Sequence, residues 1–430
     1  MPHLRANTRL YVSPYRRDSP PSPLTPGCNL QEDLIISTPI KTLSVPITSS
    51  EIYSTKILNA EHIGSYNSTS DQQPTIIVPA KLPTAAGSPP EWIGHAVPFT
   101  LPPDLGPRSS QNNHCNNGSP LLPLMKAVDA IGAAVDWPNV DVVADRNALR
   151  KLLWWINKAA QAEDFRIDIE LGGDHTLLMS RWRANVTYGS GDWRTFGFGF
   201  EESTTRNVKG CEKSTGHYRI IKYDFFGLRM VVRYEVDAYI PSALPAKTKG
   251  NSASEREKPT SLAFGEHANN DANTSVSAPL ASGTLTSPPL SSRSVDTLDI
   301  VHAGREIPQS SIIELTTRSQ HFIELLNWPD LYPRLYLSRT RFLCIGLHSH
   351  GRFGEIRQYD MARGMETQYN AVRGALQKLG QVLTEIQDLM EENPGRRLSL
   401  VCEGGVLRVY ERATSKSCLP EDVMKRFVAV

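Results

Sequence analysis

The chain has 430 residues, a net charge of +1, and 21% charged against 40% hydrophobic residues. No apolar run approaches the roughly 20 residues that cross a bilayer, which excludes a membrane-spanning helix and leaves no reason to expect a membrane partner. The six cysteines show no CxxC spacing, so reduced thiols in an intracellular protein, nuclear or cytoplasmic, are expected.

Residues 1–118 are rich in Pro, Ser, Thr and Asn, as in SPPSPLTPG and NSTSDQQP, and hold no helical or strand period for long. Such a segment buries too little apolar surface to offset its ordering entropy, so a disordered arm is expected there. A first core half, 119–242, opens near Pro120 with the apolar, helix-like LLPLMKAVDAIGAAV. VDVVAD follows, then a helix with Asp145 as N-cap and Leu149, Leu152, Leu153 and Ile156 on one face. FRIDIEL and HTLLMSRW flank Gly172-Gly173-Asp174, and YRIIKYDF and LRMVVRYEVDAYI flank Phe226-Gly227; both read as β-hairpins.

A second Pro/Ser-rich stretch, 243–296, is expected to be a disordered insertion. The second core half, 297–430, holds the strands SSIIELTT and RFLCIGLHS and a long helix over 366–392. That helix places Leu376, Leu379, Leu383, Ile386 and Met390 on one stripe, which suits packing against a sheet. Gly374 and Gly380 weaken a coiled-coil alternative. LSLVCEGGVLRVYE closes the chain as a hairpin turning at Gly404-Gly405. The fold class is α+β, with mixed central sheets flanked by helices.

Three acidic stations stand out: Phe200-Glu201, Glu235-Val236-Asp237 and Glu314-Leu315. Carboxylates brought together repel by about 4 kcal/mol per pair at roughly 4 Å and an effective dielectric near 20, so a cluster needs a cation. Strand periodicity puts Arg233, Glu235 and Asp237 on one face, and Glu314, Thr316 and Arg318 on one face of a later strand. Charges alternating on an exposed strand are ordinary, and it is the combination and chain order that point to a site. His348 and His350 read as turn surface in preference to a zinc site, and Trp154, Trp155, Trp182 and Trp193 as packing in preference to base stacking.

The order Asp145-Arg-Asn-Ala-Leu-Arg-Lys-Leu-Leu, Gly197-Phe-Gly-Phe-Glu201, Glu235-Val-Asp237 and Glu314-Leu-Thr-Thr resembles the DXO-type decapping nucleases. The resemblance covers about 137–356 and implies a PD-(D/E)XK-like core that hydrolyses phosphodiester or pyrophosphate linkages at RNA 5′ ends. It implies Arg146 on the phosphate beside the scissile bond, and Glu201, Asp237, Glu314 and the Leu315 carbonyl on Mg²⁺ or Mn²⁺. Glu235 would hold a metal-bound water. Apart from the resemblance, Arg233, Arg318 and Arg334 are read as substrate-binding, with Arg318 or Arg334 as the candidate source of the positive charge that Thr316 cannot supply. Two departures accompany it: Thr316 stands where the family has its catalytic lysine, and Arg334 where it has a glutamine. Loss of one preorganised charge commonly costs about 10²–10³ in rate, so the expectation divides between an attenuated hydrolase and a non-catalytic RNA- or protein-binding relative. In either case the disordered arms are candidate sites for protein partners.

Overall fold

The computed structural model describes residues 29–47, 53–71, 73–79, 87–104, 118–158, 164–182, 195–241 and 298–429. Their architecture is α+β, with a 12-stranded and a 7-stranded mixed sheet, each covered by helices.

At the centre of the large sheet the short strand Val142–Asp145 runs parallel to Leu228–Val236 on one side and to Thr176–Arg181 on the other. Alternation along these strands divides their side chains between two cores. Val142, Ala144, Leu177, Met179 and Val232 face the helices Arg146–Ile156 and Glu366–Glu391. Val143, Leu178 and Val231 face the helix Leu122–Ile131 and the C-terminal Phe427. The leucine stripes of both long amphipathic helices are buried as expected, and Leu149, Leu152, Leu376, Leu379, Leu383 and Ile386 lie in one core.

All three hairpins form with the turns read from the sequence. Phe226 and Gly227 take φ of 56° and 80°, the positive values that a two-residue turn between twisted strands requires.

The small sheet pairs Ile312–Ser319 in parallel with Phe342–Ser349, which pairs antiparallel with Arg352–Asp360. One face packs Ile313, Leu315, Cys344 and Phe353 against Phe200 of the helix Gly197–Thr204. The other packs Leu343, Ile345 and Leu347 against Leu335 of the helix Trp328–Leu337.

The expectation of disorder over all of 1–118 does not hold for the described part of that segment. Leu58–Thr69 is a 12-residue strand of the large sheet, paired along its length with Ser214–Phe225. Ile63 and Tyr66 there are buried, and Ile76 and Val78 of the next strand are wholly enclosed. The apolar residues are sparse in sequence, but the strand borrows its order from a long antiparallel neighbour. The 243–296 insertion, Trp193 and the cysteines at 28 and 115 lie outside the described residues. The other four cysteines are free and buried. No helix among the described residues is long and apolar enough to cross a membrane.

Candidate functional site

One segment passes from sheet to sheet. Leu228–Val236 ends in the large sheet, Ala238–Tyr239 begins in the small one, and Asp237 is the residue between them. Its Oδ2 accepts the Leu315 N–H at 2.7 Å, so the crossing is pinned to the strand that carries Glu314.

Each acidic station is held by a buried neighbour. The Phe200 ring, wholly enclosed, anchors Glu201, and Gly346 makes room for it, since a Cβ there would fall 2.5 Å from Phe200 Cε2. Val236 and Ala238 fix Asp237, and Ile313 and Leu315 fix Glu314. A carboxylate from outside the sequence motifs helps as well. Asp104 accepts the Phe198 and Gly199 N–H groups at 3.3 and 3.0 Å, capping the helix that presents Glu201.

Arg146 is the first residue of its helix, directly after the central strand, and its side chain is 8% exposed. Its Nη1 donates to Glu314 Oε2 at 3.1 Å and to Ser338 Oγ at 3.3 Å, and its Nη2 to the Glu235 carbonyl at 3.4 Å. The guanidinium lies 5.4 Å from the Tyr234 ring centroid. Tyr234 and Gln309 hydrogen-bond to each other, and Gln309 also donates to the Ser338 carbonyl.

Glu314, 1% exposed, is approached from its other side by Nη2 of Arg334, which the Trp328–Leu337 helix delivers. Burial, followed by repulsion from Arg146, pulls the Arg334 guanidinium down to about 10. Burial and then the charges of Asp237 and Glu235 push the Glu201 carboxyl well above the usual range, and burial raises Asp237. Arg150, one turn beyond Arg146, pairs with Asp330, which also accepts the Trp154 Nε1–H at 2.6 Å.

The structure therefore brings Arg146, Glu201, Glu235, Asp237, Glu314 and Arg334 to one junction. Thr316, half-buried, and Arg318, exposed, continue along the Glu314 strand. Arg233 is not among the gathered groups. Its guanidinium grips Asp145 through two bonds of 2.6 and 3.0 Å and reaches the Pro120 carbonyl. Asp145 is thereby diverted from capping its helix, where it sits at the N-cap position without a capping bond. Strand alternation alone gave Arg233 the face of Glu235, whereas the parallel pairing with Asp145 fixed where it points. His348 accepts the Gly351 N–H and packs against Phe196 and Phe353, an ordinary turn environment.

Tyr234, Ser338, Gln309 and Asp104 escaped the sequence reading. Only tertiary contacts single them out.

The ligand set implied by the sequence resemblance does not stand assembled. Guanidiniums lie against both Glu314 oxygens, and Asp237 Oδ2 takes a backbone N–H. Among the described residues no three His, Cys, Asp or Glu groups gather in metal-holding geometry. As placed, the residues do not fit a divalent ion.

Residues 37–428 match the family described as "Domain of unknown function (DUF8563)". The chain belongs to this family. No curated protein matches it. Among solved structures, the DUF8563 chain is similar to Scheffersomyces stipitis Rai1 in complex with (3′-NADP)+ and calcium ion. The TM-score is 0.53 and the identity 13%, over 90% of this chain and 99% of that one. S. pombe Rai1 gives a TM-score of 0.50 at 12% identity, covering 86% and 99%. Candida albicans Rai1 in complex with pU5-Mn²⁺ gives 0.50 at 9%, covering 90% and 99%. At such identities the likeness is one of fold, and the DXO-like reading of the sequence stands at that level.

Proposed function

We propose that this DUF8563 protein binds phosphorylated RNA 5′ ends at the junction of its two sheets and has little or no hydrolytic activity of its own. The observation that carries the reading is the enclosed Glu314 between Arg146 and Arg334, with Thr316 where a lysine would serve catalysis. A guanidinium suits a phosphate because its planar fork matches the oxygens. Arg146 and Arg334 would form the floor of the site, and Thr316 and Arg318 a polar track along the strand. The fold supports the choice of ligand, since the Candida albicans Rai1 structure holds pU5.

A second reading, a divalent-metal-dependent RNA decapping and phosphodiester hydrolase using Mg²⁺ or Mn²⁺, is favoured by one observation. Glu235 and Asp237 lie near enough to Glu201 for their charges to add to burial in raising its proton affinity. Loss of the lysine alone would attenuate such an enzyme by a factor of about 10²–10³ without abolishing it.

Hydrolysis of 5′-triphosphate, NAD-capped and 5′-monophosphate RNA with Mg²⁺ or Mn²⁺, beside a Glu235→Ala/Asp237→Ala double variant, separates the readings. The expected result is no product from either protein, with 5′-phosphorylated RNA bound in a salt-dependent way. Product from the wild type that the double variant fails to make would establish the hydrolase instead.

A further inference from the structure

The carboxylates at the junction need a cation, and the chain carries one of its own. Arg334 reaches Glu314 from the last turn of a helix that covers the opposite face of the small sheet. Ser338 Oγ donates to the Arg334 carbonyl at 2.8 Å, fixing the end of the turn. The guanidinium is near enough to Asp237 and Glu201 to interact with both charges as well as contacting Glu314. Its Nε is buried and has no hydrogen-bond partner in the protein, which leaves a donor facing no acceptor. A divalent ion ligated by Glu314, Asp237 and Glu201 would have to take Glu314 from this side chain and sit beside a like charge.

We infer that Arg334 is a tethered cation that takes the place of a divalent metal at this site, neutralising the acidic cluster and excluding the ion. The ligand side of this inference rests on the RNA-binding reading above, whereas the exclusion of metal does not. Arg146 alone cannot do the same. It is committed to Glu314 Oε2, Ser338 and the Glu235 carbonyl, whereas Arg334 covers the other oxygen of Glu314. With the ion excluded, a phosphate-bearing end would meet guanidinium donors directly, and its binding would survive chelation.

The test counts bound Mn²⁺ by the loss of its free-ion paramagnetic resonance signal, in the full chain and in Arg334→Gln and Arg334→Ala. The wild type is expected to bind no ion at this site. Both variants should gain one, on the order of tenfold or more tighter than anything in the wild type, once the competing charge is gone. Adding Asp237→Asn to either variant should remove the gain. A wild-type Mn²⁺ site that is lost in Asp237→Asn would overturn the inference. That arm requires no Arg334 variant to fold.

A parallel anisotropy titration with a 5′-phosphorylated oligonucleotide in EDTA reads the other half. Binding that persists in EDTA and weakens in Arg334→Gln supports the tethered cation as the phosphate donor. If the variants gain the ion but no form of the protein binds RNA, the RNA reading falls and the metal-excluding role of Arg334 stands.

Discussion

At the residue scale, burial decides what ionisable groups do more than their neighbours in sequence. His217 sits inside the large sheet, its Nδ1 against Asn67 Oδ1 at 3.0 Å. Burial, then the charges of Arg219 and His62, pushes its imidazole well below the ordinary 6.5. The unfolded chain therefore takes up this proton first, so the contribution to stability is present above pH 6.5 and is lost as pH falls through the depressed value. The thermal midpoint of His217→Asn should fall less steeply than that of the wild type between pH 6.5 and pH 5. His62 is shifted in the same direction and will leave part of the slope. Identical slopes in the two proteins would show that His217 is not the titrating group. None of this could be read from the sequence, where position 217 is one polar residue in a strand.

At the scale of elements, the amphipathic helices and hairpins were legible because period and turn chemistry are local properties. The Trp328–Leu337 helix was not, since Pro329 and Pro333 within WPDLYPRLYL argue against a helix. It forms because Pro329 falls in the first turn, where a missing N–H costs little, and because Tyr332, Leu335 and Leu337 are buried. The glycines of the Glu366–Glu391 helix divide similarly. Gly374 has open space around it, and Gly374→Ala should stabilise by up to about 1 kcal/mol. A Cβ at Gly380 would fall 2.1 Å from the Phe226 ring, so the glycine is there to let a hairpin turn approach. Gly380→Ala should destabilise by about 1–3 kcal/mol despite the gain in helix propensity. Denaturant unfolding of both variants checks the pair, and equal effects would dismiss the close approach.

At the scale of the molecule, one segment runs directly from the large sheet into the small one, changing partner at Asp237. The proposed site lies at that change, which brings a helix start, a helix end and strands of both sheets together. The segment before residue 119 belongs to this assembly. A chain beginning at residue 119 would lose the neighbour of Ser214–Phe225 and uncover Ile220, which is buried in the intact protein. Such a truncation should not give a cooperative thermal transition by circular dichroism. A native-like melt would mean that Leu58–Thr69 is dispensable.

The sequence by itself determined the α+β class, both long helices, all three hairpins and the residue types gathered at the junction, because each follows from spacing along a few neighbouring residues. Only the tertiary structure decided that Arg233 serves Asp145, that Leu58–Thr69 is a core strand, and that Arg334 neutralises Glu314. Those outcomes depend on which segments meet across long stretches of chain, and on which buried charge finds its partner there.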